Sequence, residues 1–254
     1  MKAIVLGCGT SSGVPRIGGD WGDCDPDDPR NRRTRAAIAI RTDTTTILVD
    51  TGPDMRAQLL AAGIGVLDAV IWTHEHADHT HGIDDLRQLF HARGAPVPGY
   101  ADAATLQVLT DRFGYVFEGR YGYPASAEAN LLESELQVGD IAIRTVPMPH
   151  GEIISRGLLF EANGKTIGYA TDFHEITAEM EALFAGVDVW IVDALRRRPH
   201  PTHPHLAMVL DAIARLKPGR AVLTHMDQSM DYATLVGELP PGVEPGVDGL
   251  ELVP

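Results

Sequence analysis

The chain has 254 residues, 44% hydrophobic and 22% charged, a balance that suits a soluble globular fold and excludes a disordered or fibrous one. No apolar run approaches the roughly 20 residues of a membrane span. Lys and Arg number 21 against 35 Asp and Glu, a formal net charge of −14, which disfavours a nucleic-acid polymer as partner unless basic residues cluster locally.

In chain order, Met1-Lys-Ala-Ile-Val-Leu-Gly7 is too short and wrongly flanked for a signal peptide and reads as a first strand over 2–6. Residues 7–34 lack periodicity and are rich in Gly, Pro and Asp. A loop of that length in a compact domain is usually functional or tied by a metal. Its Gly-rich start, Leu6-Gly-Cys-Gly-Thr-Ser-Ser-Gly-Val-Pro15, misses the P-loop spacing and reads as a turn. Strands follow at 36–41 and 45–49, then a helix at 53–62 with Asp54 near its start and Gly63 as its C-cap.

A strand at 69–72 precedes helices at 83–93 and 103–113. The irregular stretch 114–129 carries Tyr115, Phe117, Tyr121 and Tyr123, read as packing rather than a base-stacking platform. The second half holds strands at 141–146, 157–161, 166–170, 187–192 and 220–223, and helices at 175–184, 205–216 and 232–238, with Thr177 early in the first of these helices. Strands dominate both halves and helices are interspersed. That pattern predicts an α/β fold of two packed sheets with helices on the outer faces rather than a doubly wound sheet. With no repeat or linker, a single domain over 1–254 is expected, and dimerisation through apolar helix faces is open. With Cys8 and Cys24 as the only cysteines, no disulfide framework is expected and the cytoplasm is the expected compartment.

The densest chemical signal lies just after the fourth predicted strand, in His74-Glu-His76-Ala-Asp78-His79. Imidazole is the commonest metal ligand and a carboxylate is a hard oxygen donor, so this spacing suits metal ions better than a surface turn. His150, Asp172 and His225 each stand immediately after an apolar strand, as the motif does. The shared placement predicts one cleft along a sheet edge. His74, His76 and His150 are then expected to hold one divalent ion, zinc or manganese, and Asp78, His79 and His225 a second. Asp172, with two carboxylate oxygens, bridges them. Hydroxide held between two such ions attacks phosphorus or a carbonyl.

His203 and His205, before the helix at 205–216, are the candidates to protonate a leaving alkoxide. Asp50, at a strand end, is a candidate to orient a ligand histidine. Two arginine groups, Arg30, Arg32, Arg33 and Arg35, and Arg196-Arg197-Arg198, read either as solvated turns or as a clamp for a small anionic substrate.

The ordered set His74-x-His76-x-Asp78-His79, His150, Asp172 and His225 resembles the metallo-β-lactamase superfamily over nearly the whole chain. The resemblance implies an αβ/βα sandwich with a metal cleft at one edge. Within it, Gly13-Val-Pro15, Arg32-Arg33, Leu223-Thr-His225 and the tail at 239–252 are most similar to the phosphoribosyl 1,2-cyclic phosphate phosphodiesterases.

That likeness implies His203, three residues before Leu206, as the general acid, with Asp78 and Asp172 serving catalysis as ligands. It also implies a small anionic phosphodiester as substrate. Members of that family carry a structural zinc on loop cysteines and a distal His. Here Cys24 stands alone and Gln228 takes the distal position, so that zinc is expected to be absent. The alternatives are lactone or thioester hydrolysis, tRNA 3′-end processing without the usual basic arm, and non-catalytic binding of a small ligand on the same fold.

Overall fold

Side-chain alternation along the strands divides the interior into two hydrophobic layers. The computed structural model describes residues 1–254. It begins with β1 (Lys2–Gly7), β2 (Ala37–Arg41), β3 (Thr46–Val49), α1 (Met55–Ala61), β4 (Ala69–Ile71), α2 (Ala77–Thr80), α3 (Leu86–Arg93), β5 (Val97–Ala101), α4 (Ala103–Glu118) and β6 (Ala127–Leu131). The second half comprises β7 (Glu135–Val138), β8 (Ile141–His150), β9 (Ile153–Ala162), β10 (Lys165–Ala170), α5 (Ala178–Phe184), β11 (Val189–Asp193), α6 (Leu206–Leu216), β12 (Arg220–Thr224), α7 (Tyr232–Glu238), β13 (Val243–Pro245) and β14 (Leu250–Leu252).

Two seven-stranded sheets result, in the orders β14-β1-β2-β3-β4-β5-β6 and β13-β12-β11-β10-β9-β8-β7. In the first, β1, β2 and β3 pair antiparallel and β3 through β6 parallel. In the second, β7 through β10 pair antiparallel and β10 through β13 parallel. Ala3, Val5, Ile38, Ile40, Ile47, Val49, Ala69 and Ile71 face the second sheet. Their sequence neighbours Ile4, Leu6, Ala37, Ala39, Leu48 and Val70 face the outer layer, with Met55, Leu59, Leu86, Leu89 and Leu109 of α1, α3 and α4. Both faces of these strands are therefore apolar, as a covered sheet requires. Each fully buried aliphatic side chain contributes about 1.5–3 kcal/mol. No helix is long and apolar enough to cross a membrane.

The two-sheet α/β expectation holds, while several elements differ from the sequence reading. The strand β5 went unpredicted because Pro98 and Gly99 read as turn residues; Gly99 is required because a Cβ there would stand 2.4 Å from the Trp72 ring. Few β-formers mark the edge strand β6, Ala-Glu-Ala-Asn-Leu. Helix α4 runs on through a kink at Phe113 to Glu118, so Tyr115 and Phe117 are helical. Phe117 packs edge-on against Trp72 at 6.0 Å, as the packing reading expects. Tyr121 and Tyr123 do not: they are exposed and lie under Arg120 and Arg87.

The 7–34 loop is pinned by side chains. The buried Arg33 guanidinium donates to the carbonyls of Asp227 (3.3 Å) and Met230 (2.6 Å) and to Asn31 Oδ1 (3.2 Å), with Cys24 Sγ at 3.8 Å. Asn31 in turn donates to Asp231 Oδ1 at 2.8 Å. Cys24 thus faces a buried cation rather than further thiols.

Candidate metal centre

Every site residue foreseen at a strand end lies at one rim of the sandwich. Asp50 follows β3, His74 lies three residues past β4, His150 ends β8, Asp172 lies two residues past β10, and His225 follows β12. Asp50, Asp172 and His225 take left-handed backbone, with φ of 67°, 61° and 55°. Non-glycine residues resist that region, and its strain is tolerated where a turn must aim a side chain. His76 is the N-cap of the one-turn helix α2, which carries Asp78 and His79.

His74, His76, His150 and Asp172 each bring a ligand-type atom within 4.8 Å of the others, and so do Asp78, His79 and His225. Asp172 lies between the groups. Its Oδ1 is 3.9 Å from His74 Nε2 and 3.6 Å from His150 Nε2. Its Oδ2 is 3.2 Å from His79 Nε2 and 3.6 Å from His225 Nε2. Asp78 Oδ2 closes the second group, 3.3 Å from His79 Nε2 and 3.5 Å from His225 Nε2.

The hydrogen bonds assign the tautomers. His150 Nδ1 lies 2.8 Å from the Thr202 carbonyl, which only accepts, so Nδ1 carries the proton and Nε2 the lone pair. His79 Nδ1 donates to Asp50 Oδ2 at 2.7 Å. Thr73 Oγ1 donates to Asp50 and accepts from His74 Nδ1 at 3.0 Å. The Nε2 atoms of His74, His79 and His225 are buried with no hydrogen-bond partner. Such atoms are costly to leave unpaired, and lone pairs converging on carboxylates fit a divalent cation.

Electrostatics agree with that fit. Burial, helped by neighbouring His79, pushes the His74 pKa well below its ordinary value and keeps the ring neutral. At His79 burial also lowers, but Asp172, Asp78 and Asp50 outweigh it and pull the pKa well above the ordinary value. His225 is lowered by burial and lifted by Asp172 and Asp193 to about 9. Buried negative charge here calls for positive charge, from protons or from metal ions.

Asp193 was missed in the sequence, although it too ends an apolar strand, Val189-Trp-Ile-Val-Asp193. Its Oδ2 accepts from His203 Nδ1 (3.0 Å) and from the Asp172 N–H (3.1 Å). His203 lies stacked on His225 at 4.9 Å and faces the cleft, whereas His205 is only the N-cap of α6. Thr73 and Thr202, which orient His74 and His150, gave no sequence signal.

The cleft, about 450 Å³, is lined by Ser11, His76, Asp78, His150, Gly151, Glu152, Ile153, Asp172, Thr202, His203 and His225. Of the two readings of the arginine groups, the clamp finds no support in this cleft, because none of them lines it. Arg33 is buried in the loop, Arg30 pairs with Asp28, and Arg32 stacks on Trp21. Arg35 binds Asp54 and the Ser11 carbonyl. Arg196 folds onto the carbonyls of Arg198 and Pro199, and Arg197 pairs with Glu238. Six of these seven charges have a partner away from the cleft.

Against known proteins, the family model described as a beta-lactamase superfamily domain matches residues 45–226. The solved structure of a new diphosphatase from the PhnP family is 36% identical, with a TM-score of 0.90 over 99% of this chain and 97% of that one. Zinc-bound PqqB from Methylobacterium extorquens shares the fold over 100% of both chains at 20% identity and TM-score 0.81. An octanoyltransferase of Porphyromonas gingivalis is 35% identical across 100% of this chain, which spans 51% of that protein's length.

Proposed function

The chain belongs to the metallo-β-lactamase superfamily of hydrolases, and from that premise we propose that it is a phosphodiesterase using two divalent metal ions, zinc or manganese. Its substrate in this reading is a small cyclic phosphate or nucleotide-like diester. One observation carries the reading: Asp172 presents one carboxylate oxygen to each imidazole group, a placement that would suit a ligand shared by two ions. Likeness to a PhnP-family diphosphatase over nearly the full chain supports it.

His74, His76 and His150 with Asp172 would hold one ion, and Asp78, His79 and His225 with Asp172 the other. Bound ions of this kind activate water and offset charge on phosphoryl oxygens. His203 supplies the proton. Asp193 accepts from its Nδ1, which fixes the tautomer and leaves Nε2 as the nitrogen that donates to the departing alkoxide. A cleft of about 450 Å³ without arginine or lysine suits a small substrate better than a nucleic-acid chain.

A second reading, hydrolysis of an acyl ester or thioester, draws on the likeness to an octanoyltransferase that is twice as long. Elemental analysis of metal content, run beside hydrolysis of bis(p-nitrophenyl) phosphate and an octanoyl thioester, separates the two. About two ions per chain with diester hydrolysis supports the phosphodiesterase. Two ions with thioester hydrolysis alone moves the assignment to acyl groups. No bound metal after reconstitution refutes both and leaves a binding protein.

A further inference from the structure

Two fully buried hydroxyls beside the candidate metal centre, those of Ser155 and Thr171, have no part in the proposed chemistry. Both are spent on Asp172. This residue stands two past the end of β10 on left-handed backbone, with φ of 61°, a conformation that non-glycine residues resist. Its N–H donates to Asp193 Oδ2 at 3.1 Å. Its carbonyl receives no backbone N–H and accepts instead from the Ser155 hydroxyl at 2.5 Å, with the Thr171 carbonyl 3.3 Å from the same oxygen. Its carboxylate Oδ2 accepts from the Thr171 hydroxyl at 2.5 Å.

Each hydroxyl answers a specific need. A buried carbonyl left without a donor is costly, and Asp172 lies beyond the strand ladder that would supply one. The antiparallel pairing of β9 with β10 ends with Leu158 opposite Tyr169. Continued past that pair, the register sets Ser155 across from Asp172, where its side chain replaces the missing ladder bond. The carboxylate raises a different problem, because the end torsion of an aspartate is broad and roughly two-fold. Thr171, whose β-branched side chain is stiff at χ1, marks one oxygen. It donates to Oδ2, which faces His79 and His225, and leaves Oδ1 toward His74 and His150.

Building on the reading of a two-ion centre, we infer that Ser155 and Thr171 are positioning residues for the carboxylate shared by the two ions. Ser155 holds the left-handed turn from which Asp172 projects. Thr171 sets the rotation of the carboxylate, so that each imidazole group receives one oxygen. Both act through Asp172.

The test is calorimetric titration of the metal-free protein with zinc, run beside electron paramagnetic resonance of the manganese-loaded protein, in which spin coupling reports a shared ligand. Thr171→Val keeps the shape and removes the donor. It should weaken one binding step about 10–100-fold, the usual effect of losing an orienting partner, change the other step much less, and diminish the coupling. Thr171→Ser keeps a hydroxyl and should stay close to wild type. Ser155→Ala should weaken both steps together, because the turn carries the whole carboxylate. Thr171→Val with both steps intact, or with both weakened equally, overturns the assignment of Thr171. A Thr171→Ser variant as impaired as Thr171→Val does the same, since packing would then explain the loss. Unchanged affinities in Ser155→Ala overturn the assignment of Ser155. A wild type that takes up only one ion refutes the two-ion reading itself, a result distinct from all of these.

Discussion

The carboxylate of Asp50 lies 2.7 Å from Nδ1 of His79, with both side chains fully buried. The same carboxylate accepts the Thr73 N–H at 2.8 Å and the Thr73 hydroxyl at 2.9 Å, and that hydroxyl meets His74 Nδ1. One acidic residue at the end of β3 therefore orients an imidazole in each group around Asp172.

Removing that support should loosen both halves of the centre. Asp50→Ala is expected to weaken divalent-metal affinity about 10–100-fold, the usual effect of losing an orienting partner. Calorimetric titration of the metal-free protein with zinc reads it, with two transitions weakened together. Unchanged affinity would mean that packing alone holds the rings.

Asp172→Ala removes the carboxylate whose two oxygens face the two groups. Elemental analysis should then find about one ion per chain or fewer, against about two in wild type. Asp172→Asn keeps the shape and loses the charge. It should fall between them if charge balance holds the second ion. Full occupancy in Asp172→Ala would remove Asp172 from the bridging role.

His203→Ala should depress kcat about 10²–10⁴-fold on alkyl diesters, whose leaving groups need a proton. On bis(p-nitrophenyl) phosphate the loss should be much smaller, because nitrophenolate leaves unaided. Asp193→Asn, which disturbs the 3.0 Å contact to His203 Nδ1, should show a weaker form of the same split. An equal loss on both substrates would point to structure instead of proton donation.

Asp231 ties the long loop to α7. Its Oδ1 accepts from the Asp25 N–H (3.1 Å) and from Asn31 Nδ2 (2.8 Å), and its Oδ2 caps α7 through the Thr234 N–H (2.9 Å). Burial opposes its ionisation, but these donors prevail and hold its pKa below the ordinary 3.8. A depressed carboxylate stabilises the fold fully above its unfolded pKa, and that contribution drains as pH falls toward the folded value. Asp231→Ala should cost about 1–2 kcal/mol at pH 7 in denaturant melts, and less as pH drops below about 4. A loss independent of pH would exclude the charge as its source.

How much of this was legible without coordinates follows from where the information resides. The sequence alone sufficed for the two-sheet α/β plan, because alternating and continuous apolar runs encode which faces are buried. It also sufficed for the ligand candidates. Imidazoles and carboxylates repeatedly placed just after apolar strands are expensive unless they meet, and His74 to His79 is compact enough to read locally.

Only the tertiary structure decided the rest. Asp193 was one carboxylate among 35 acidic residues until the parallel pairing of β10, β11 and β12 brought it beside Asp172 and His203. The Thr202 carbonyl that orients His150 is a backbone group and leaves no mark in a sequence. The arginines read either as solvated turns or as an anion clamp, and folding gave most of them aspartates, carbonyls or an aromatic ring as partners. Residue type states what a side chain can bind. Which partner it finds depends on long-range geometry, because charges and donors pair with whatever the fold brings within about 3 Å.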